Sequence, residues 1–339
     1  MASARGGIDL GGTKIQTVVV GEHQKVLGSA RAPTPTEGGP ADVAAAMSAA
    51  MREAATGAGL KDPSELAGIG VGSPGAVDEK AGTVSGAGNL PGWQGSFPLG
   101  PTLSDALGTP VSIGNDVQVA TDAELALGAG RDVSSLIGVF WGTGVGSGII
   151  LDRRPWLGRG AAGELGHMVV KLGGALCPCG RRGCVEAYAG RGAMETRARK
   201  RHGEGRSTDL FKLMDKHDRV RLTSSIWARA LERKDSLAVE LVDDAIAALG
   251  AGVASAVNLL DVEMVIIGGG LGIRLGQPYV DRIEAAMLPH LFVDDRPPAV
   301  RLAELGDLGG AIGASLLVQP AAVKAAPKRR RTAAAKAGS

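Results

Sequence analysis

The chain has 339 residues, 44% of them apolar and 3% aromatic, with 53 glycines and a formal net charge of +2. That length suits two lobes sharing a cleft better than one small core. No apolar run approaches the roughly 20 residues needed to span a bilayer and residues 1–7 carry no secretory signal, so a cytoplasmic location is expected.

In chain order, residues 7–10 and 15–20 are apolar, β-branched runs flanking Gly11-Gly12-Thr13, which predicts a glycine-tipped β-hairpin. Residues 41–56 predict a helix with small apolar residues on one face, and residues 66–71 and 111–113 predict strands. Helical spacing at Val117, Ala120, Ala123, Glu124 and Leu127 predicts a helix over 117–129 with Asp116 at its N-terminus. The hairpin pattern then recurs: an apolar run over 136–141, a glycine loop from Gly142 to Gly148, and a second run over 149–151. Two such hairpins suggest a duplicated architecture. Downstream come a long helix over 237–260, a buried strand over 263–267, the turn Gly268-Gly269-Gly270, and an apolar helix over 311–318 opened by Gly309-Gly310. The last twenty residues hold Lys324, Lys328, Arg329, Arg330, Arg331 and Lys336 and no acid, which reads as a disordered basic tail. Set against the net +2, those six cations leave the body at −4, which gives no electrostatic case for nucleic acid as the main partner.

Three cysteines cannot all pair within one chain, and all fall inside Cys177-Pro178-Cys179-Gly180-Arg181-Arg182-Gly183-Cys184. With His167 upstream they form the Cys3His set of a closed structural zinc site, against the plainer alternative of three reduced thiols in a turn. A metal that fixes His167 also fixes Glu164 and Glu186, which bracket the cluster and are otherwise ordinary surface acids. Together these side chains offer a polyol several fixed acceptors, and the imidazole nitrogen not bound to zinc can join them. In the first hairpin Asp9 can hold a hydrated magnesium and Thr13 can donate to an oxygen, while Gly11 and Gly12 let backbone approach a polyphosphate. Asn115-Asp116 supplies an amide and a carboxylate at a helix start. Capping is the plain account of Asp116; the functional one is a general base that takes a hydroxyl proton as the alcohol attacks a γ-phosphate.

These residues resemble the ROK family of bacterial sugar kinases, related open reading frames and sugar-responsive repressors. The resemblance runs from Gly7 to Val318 through residues 9–14, Asn89-Leu90-Pro91-Gly92-Trp93, Asn115-Asp116, residues 142–148, Glu164-Leu165-Gly166-His167, the cysteine loop with Glu186, and residues 268–270. It implies an α/β, actin-like ATPase (hexokinase-type) fold: two lobes with a cleft and a zinc-stabilised loop. The lobes would be residues 1–115 and 116–308, with a returning helix over 309–319 and the tail over 320–339. ATP with Mg2+ would meet Asp9, Gly11, Gly12, Thr13, Lys14, Gly142, Thr143, Gly144, Gly146, Gly268, Gly269 and Gly270. The sugar would meet Gly75, Asn89, Asn115, Asp116, Glu164, His167 and Glu186, with Asp116 as catalytic base; zinc would take His167, Cys177, Cys179 and Cys184.

The expected reaction is ATP-dependent phosphorylation of the 6-hydroxyl of a hexose, glucose first, by a homo-oligomer with a dimer favoured. N-acetylhexosamine, mannose or fructose kinases, a polyphosphate donor, and a catalytically silent sugar sensor are the alternatives. Family repressors need on the order of 60 residues of helix-turn-helix ahead of the first hairpin, and here eight precede Asp9. Two departures stand out: Val117-Gln118-Val119 follows Asp116 where members show small residues and an asparagine, and Gly190 replaces a frequent serine.

Overall fold

A computed structural model describes residues 4–88 and 90–318. In chain order they form β1 (Arg5–Leu10), β2 (Lys14–Val20), β3 (Val26–Pro33), α1 (Pro40–Gly57), β4 (Ile69–Ser73), β5 (Ala76–Asp78), β6 (Thr83–Ser85), β7 (Ser96–Phe97), α2 (Leu99–Leu107), β8 (Val111–Asn115) and α3 (Asp116–Leu127). There follow β9 (Leu136–Trp141), β10 (Val145–Leu151), β11 (Arg154–Pro155), α4 (Val185–Ala189), α5 (Arg191–Gly203), α6 (Leu210–Lys216), α7 (Ser224–Glu232) and α8 (Ser236–Leu260). The chain then adds β12 (Met264–Gly268), α9 (Gly269–Leu275), α10 (Gln277–Met287), β13 (Ala299–Leu302) and α11 (Gly309–Leu316).

Two five-stranded sheets carry the architecture, in the orders β3-β2-β1-β4-β8 and β11-β10-β9-β12-β13. Each is an antiparallel hairpin whose first strand then pairs in parallel with later strands: β1 with β4 and β4 with β8, β9 with β12 and β12 with β13. The expected duplication is therefore real at the level of strand order. The β5-β6-β7 sheet was not predicted; strands of two or three residues leave no periodicity to read.

The first sheet buries Ile8, Leu10, Ile15 and Val19 against Val43, Met47, Met51 and Ala54 of α1, the face the sequence assigns to the core. The second sheet shares a larger core with α8, whose Leu241, Val242, Leu249 and Val253 are buried. Each such side chain stabilises by roughly 1.5–3 kcal/mol. Asp235 caps α8, accepting from the Ala238 N–H at 2.8 Å, and Asp261 ends the helix in the left-handed region with φ 48°. Helix α11 returns to the first sheet at backbone contact: a Cβ on Gly7 or Gly70 would sit 1.9 Å from Ala311 O or 1.7 Å from Ala314 O. Its other side packs on α3, so α3 and α11 together form the floor between the sheets.

One prediction shifts. The sequence reads residues 142–148 as loop, but only Gly142–Gly144 turn, and β10 begins at Val145. Gly146 and Gly148 serve packing, since a Cβ there would lie 2.7 Å from Val117 Cγ1 and 2.3 Å from Thr121 Oγ1 of α3.

Candidate active site

A cleft of about 1470 Å³ opens between the sheets, and both glycine hairpins reach it. In the first, the Gly11 N–H donates to Lys14 O at 2.9 Å and Thr34 Oγ1 donates to Gly11 O at 2.6 Å, which fixes a tight turn. Asp9 lies at the cleft end of β1 and Lys14 begins β2; Lys14 Nζ stands 3.4 Å from Asp307 Oδ1, an acid the sequence reading did not single out. A Cβ on Gly310 would come within 2.7 Å of the Asp9 carboxyl, so α11 starts with glycine because that carboxyl occupies the space. Burial pushes the Asp9 carboxyl up to about 6, opposed by the Lys14 ammonium and reinforced by Asp307. A desolvated acid of this kind is a ready seat for a cation.

Asp116 opens α3 at the cleft floor. The plain account of Asp116 as the helix cap is corrected: the N-cap is Asn115, whose Oδ1 accepts from the Gln118 N–H at 3.2 Å. Asp116 Oδ1 instead accepts from its neighbour Val117 N–H at 2.9 Å. Burial pushes the Asp116 carboxyl up to about 7, with the Asp9 charge adding and the Val117 N–H opposing. A carboxyl poised there can accept a proton near neutral pH.

The third wall comes from the cysteine loop. Cys177 Sγ lies 3.8 Å from His167 Nδ1 and Cys179 Sγ lies 3.8 Å from Cys184 Sγ; all four ligand atoms fall within 4.8 Å of one another. Ligands about 2.0–2.3 Å from a tetrahedral zinc stand about 3.5–3.8 Å apart, so the set fits that ion. Burial pushes the Cys177 thiol up to about 12, whereas backbone donation from Arg181 holds Cys179 down at about 7, a split that a bound cation would remove. With Nδ1 turned to the sulfurs, His167 Nε2 faces the cleft, 3.9 Å from Glu164 Oε2. Glu186, on α4 directly after Cys184, accepts from the Val145 N–H at 2.9 Å through Oε2 and so ties this wall to the second hairpin. Trp141 Nε1 donates to Ala189 O at 2.7 Å and fixes α4 on β9.

The structure thus brings Asp9, Gly11, Gly12, Thr13, Lys14, Gly75, Asn115, Asp116, Gly142, Thr143, Gly144, Gly146, Glu164, His167, Glu186, Gly269 and Gly270 to one cleft. Gly75 holds its turn at φ 92°, where a Cβ would press on Ser85 O at 2.6 Å. Gly268 is not on the wall: it closes β12 under Phe140, whose ring leaves no room for a Cβ. Asn89 lies outside the described residues, as does the basic tail. Sequence reading missed Arg191, Asp307 and the chemical part of Glu124, whose buried carboxylate accepts from the Ala129, Glu304 and Leu305 N–H groups and joins α3 to the segment before α11. No motif marked them. The glycines at 309–310 were the nearest signal for Asp307.

The ROK family profile matches residues 5–321. The chain belongs to the ROK family. Glucokinase from Halalkalibacterium halodurans is 33% identical over 92% of this chain and 94% of its own. N-acetylgalactosamine kinase from a Shewanella species is 30% identical, over 92% and 95%. Among solved structures, a ROK family glucokinase from Streptomyces griseus in complex with glucose and AMPPNP superposes with a TM-score of 0.79 at 31% identity, covering 93% of this chain and 98% of that one. The fold is the α/β, hexokinase-type ROK fold. No helix among the described residues is long and apolar enough to cross a membrane.

Proposed function

We propose that the protein is an ATP-dependent hexose kinase that phosphorylates the 6-hydroxyl of glucose in the cytoplasm. The observation that carries this reading is the half-buried Asp116 carboxyl, its pKa raised by desolvation, at the floor of a cleft shared by two glycine hairpins and by the Glu164–His167–Glu186 wall. The glucokinase relatives support glucose. In the forward step the Asp116 carboxylate takes the hydroxyl proton as the sugar oxygen forms a bond to the γ-phosphorus, and the bond to the β-bridging oxygen breaks to release ADP. Lys14 and the backbone N–H groups of both turns orient the phosphates. Asp9 would hold an Mg2+ arriving with the nucleotide, and that ion would supply charge neutralisation at the transferring group.

Cys177, Cys179, Cys184 and His167 would hold a structural zinc in this reading, which would order the loop that presents His167 Nε2 and supports α4. The division into lobes 1–115 and 116–308 predicts closure about residues 113–116 and 305–310, which excludes water from the donor. A second acceptor class, the N-acetylhexosamines, has support from the N-acetylgalactosamine kinase relative. The test is an ADP-release assay with zinc-loaded protein, MgATP and glucose, fructose, mannose and the N-acetylhexosamines in parallel. A preference for glucose is expected; an N-acetylhexosamine preference would replace the acceptor, and turnover with no sugar would retire the kinase.

A further inference from the structure

Arg191 opens α5, which follows α4 beyond the cysteine loop. Its N–H donates to Gly142 O at 3.1 Å and the next N–H, of Gly192, donates to Thr143 O at 3.0 Å, so the helix start is stapled to the loop. The side chain folds back over the same loop: Nη2 donates to Thr143 Oγ1 at 2.9 Å and Nη1 to Ser224 Oγ at 3.0 Å. Ser224 begins α7, and a Cβ on Gly270 would lie 3.8 Å from its hydroxyl. The guanidinium therefore spans from the turn at 142–144 toward the start of α9 at Gly269-Gly270, on the cleft wall.

Its electrostatics are out of keeping with its neighbours. Along the same helix Arg197 pairs with Asp244, Arg199 with Glu195 and Arg201 with Glu240. Arg191 has no carboxylate within ion-pair distance among the described residues. Glu195, one turn on, is already engaged by Arg199 and by the Leu222 N–H at 3.0 Å. Burial draws the Arg191 pKa below its ordinary value, opposed by Glu195 and helped by the like charge of Arg221. A half-buried guanidinium offers five N–H donors, and the two hydroxyls take two of them. What remains is an uncompensated charge and open donors facing the cleft, a combination suited to an anionic chain with several acceptor oxygens.

We propose that Arg191 binds the phosphate chain of the donor, with Thr143 and Ser224 holding its guanidinium across the mouth of the second hairpin. This rests on the kinase reading for its place in the reaction, though not for the binding itself. The anion is a polyphosphate ester or an inorganic polyphosphate, which share the charged oxygens and differ in the base. Lysine would keep the charge and lose the bridge between the two hydroxyls.

The experiment is calorimetric titration of full-length wild type, Arg191→Met and Arg191→Lys with MgADP, inorganic tripolyphosphate and adenosine, alongside steady-state ATP and sugar kinetics. The Met variant is expected to bind MgADP and tripolyphosphate about 10–100-fold more weakly. Adenosine affinity should stay within about twofold, and the ATP KM should rise while the sugar KM holds; the Lys variant should fall between. Tripolyphosphate binding as tightly as MgADP would assign the inorganic chain as donor, and much weaker binding the nucleotide; both keep Arg191 in its role. Unchanged MgADP and tripolyphosphate affinity in the Met variant would overturn the proposal. So would an equal loss for adenosine, which would mark Arg191 as a strut only, or a wild type that binds neither anion. Weakened anion binding in a protein that phosphorylates no sugar would retire the kinase reading and leave Arg191 as an anion ligand.

Discussion

The two glycine hairpins occupy equivalent places in two sheets of the same strand order, yet they are held by different means. The first is held from within its own sheet: its turn closes on Lys14 O, Thr34 just past β3 donates to Gly11 O and Thr13 O, and its chemically useful side chains, Asp9, Thr13 and Lys14, belong to the hairpin itself. The second has no ionisable side chain of its own. Beyond the Gly142 N–H to Gly144 O bond at 3.0 Å, it is held from outside by Glu186 on Val145 and by Arg191 on Gly142 and Thr143. Both holders sit on the helices that follow the cysteine loop, α4 and α5, and both helices pack on α8. The first loop acts through what it carries and the second through what grips it, so they should respond differently to the same insult.

The largest effect belongs to Asp116, which lines the cleft that both hairpins reach. Asp116→Asn is expected to lower kcat about 10²–10⁴-fold in the ADP-release assay with either hairpin intact. Wild-type kcat/KM should rise with pH through about 7 as the carboxyl deprotonates, and the Asn variant should lose that rise. The same group predicts an opposite trend in stability. Its folded pKa stands above the unfolded value, so the native state binds more protons and stability falls between about pH 4 and 7. Asp116→Asn should therefore gain on the order of 2 kcal/mol over wild type at pH 8, with the gain vanishing near pH 4, as read by chemical denaturation.

Metal loss separates the hairpins more directly. Chelation, or Cys184→Ala, should lower the melting temperature and weaken both sugar and ATP use, because His167, Glu186 and Arg191 all hang on that loop. The first hairpin's own hydrogen exchange should stay unchanged. Smaller and more local is a pair of alanines. A Cβ at Gly144 would lie 2.3 Å from Glu186 Oε2, whereas one at Gly11 would lie 3.1 Å from Lys14 O. Gly144→Ala should cost about 1–3 kcal/mol and more than tenfold in kcat/KM, with Gly11→Ala clearly milder. Equal effects would contradict the contrast between a loop gripped by carboxylate and guanidinium side chains and one held within its own sheet.

The smallest effect lies away from both loops. Glu263, leading into β12, accepts from Ser134 and Ser135 through their N–H and hydroxyl groups, which hold its pKa down at about 2. Its contribution is complete above the unfolded value near pH 4.3 and is lost as pH falls toward 2. Being solvent-exposed and screened, Glu263→Gln should shift the denaturation midpoint slightly at pH 7 and not at all at pH 2.

Sequence legibility followed the same division. The first hairpin, α1, α8 and β12 were readable because their apolar periodicity and glycine punctuation are local: residues 41–56 and 237–260 were predicted against Pro40–Gly57 and Ser236–Leu260 found. The second loop was misjudged in extent because Gly146 and Gly148 are glycines for the sake of Val117 and Thr121, residues some thirty positions earlier. Likewise the departure at Val117-Gln118-Val119 is a packing matter in part, since Gln118 Oε1 accepts from the Ile149 N–H at 3.2 Å. The cysteine cluster was legible as a ligand set because four donors of metal-binding chemistry fell close in sequence. Arg191, in a strongly polar helix, looked like any solvated arginine; only its missing carboxylate partner sets it apart, and that is a fact of three dimensions.

Glu186 carries a consequence of its own. One of its carboxylate oxygens is committed to the Val145 N–H at the start of β10, while the side chain also lines the cleft. A hydroxyl drawn to the other oxygen would alter the basicity and position of the first. Acceptor and donor would then share a coupling free energy, so that each changes the other's affinity by the same factor. A residue counted among recognition groups would thereby set the order and cooperativity of substrate binding.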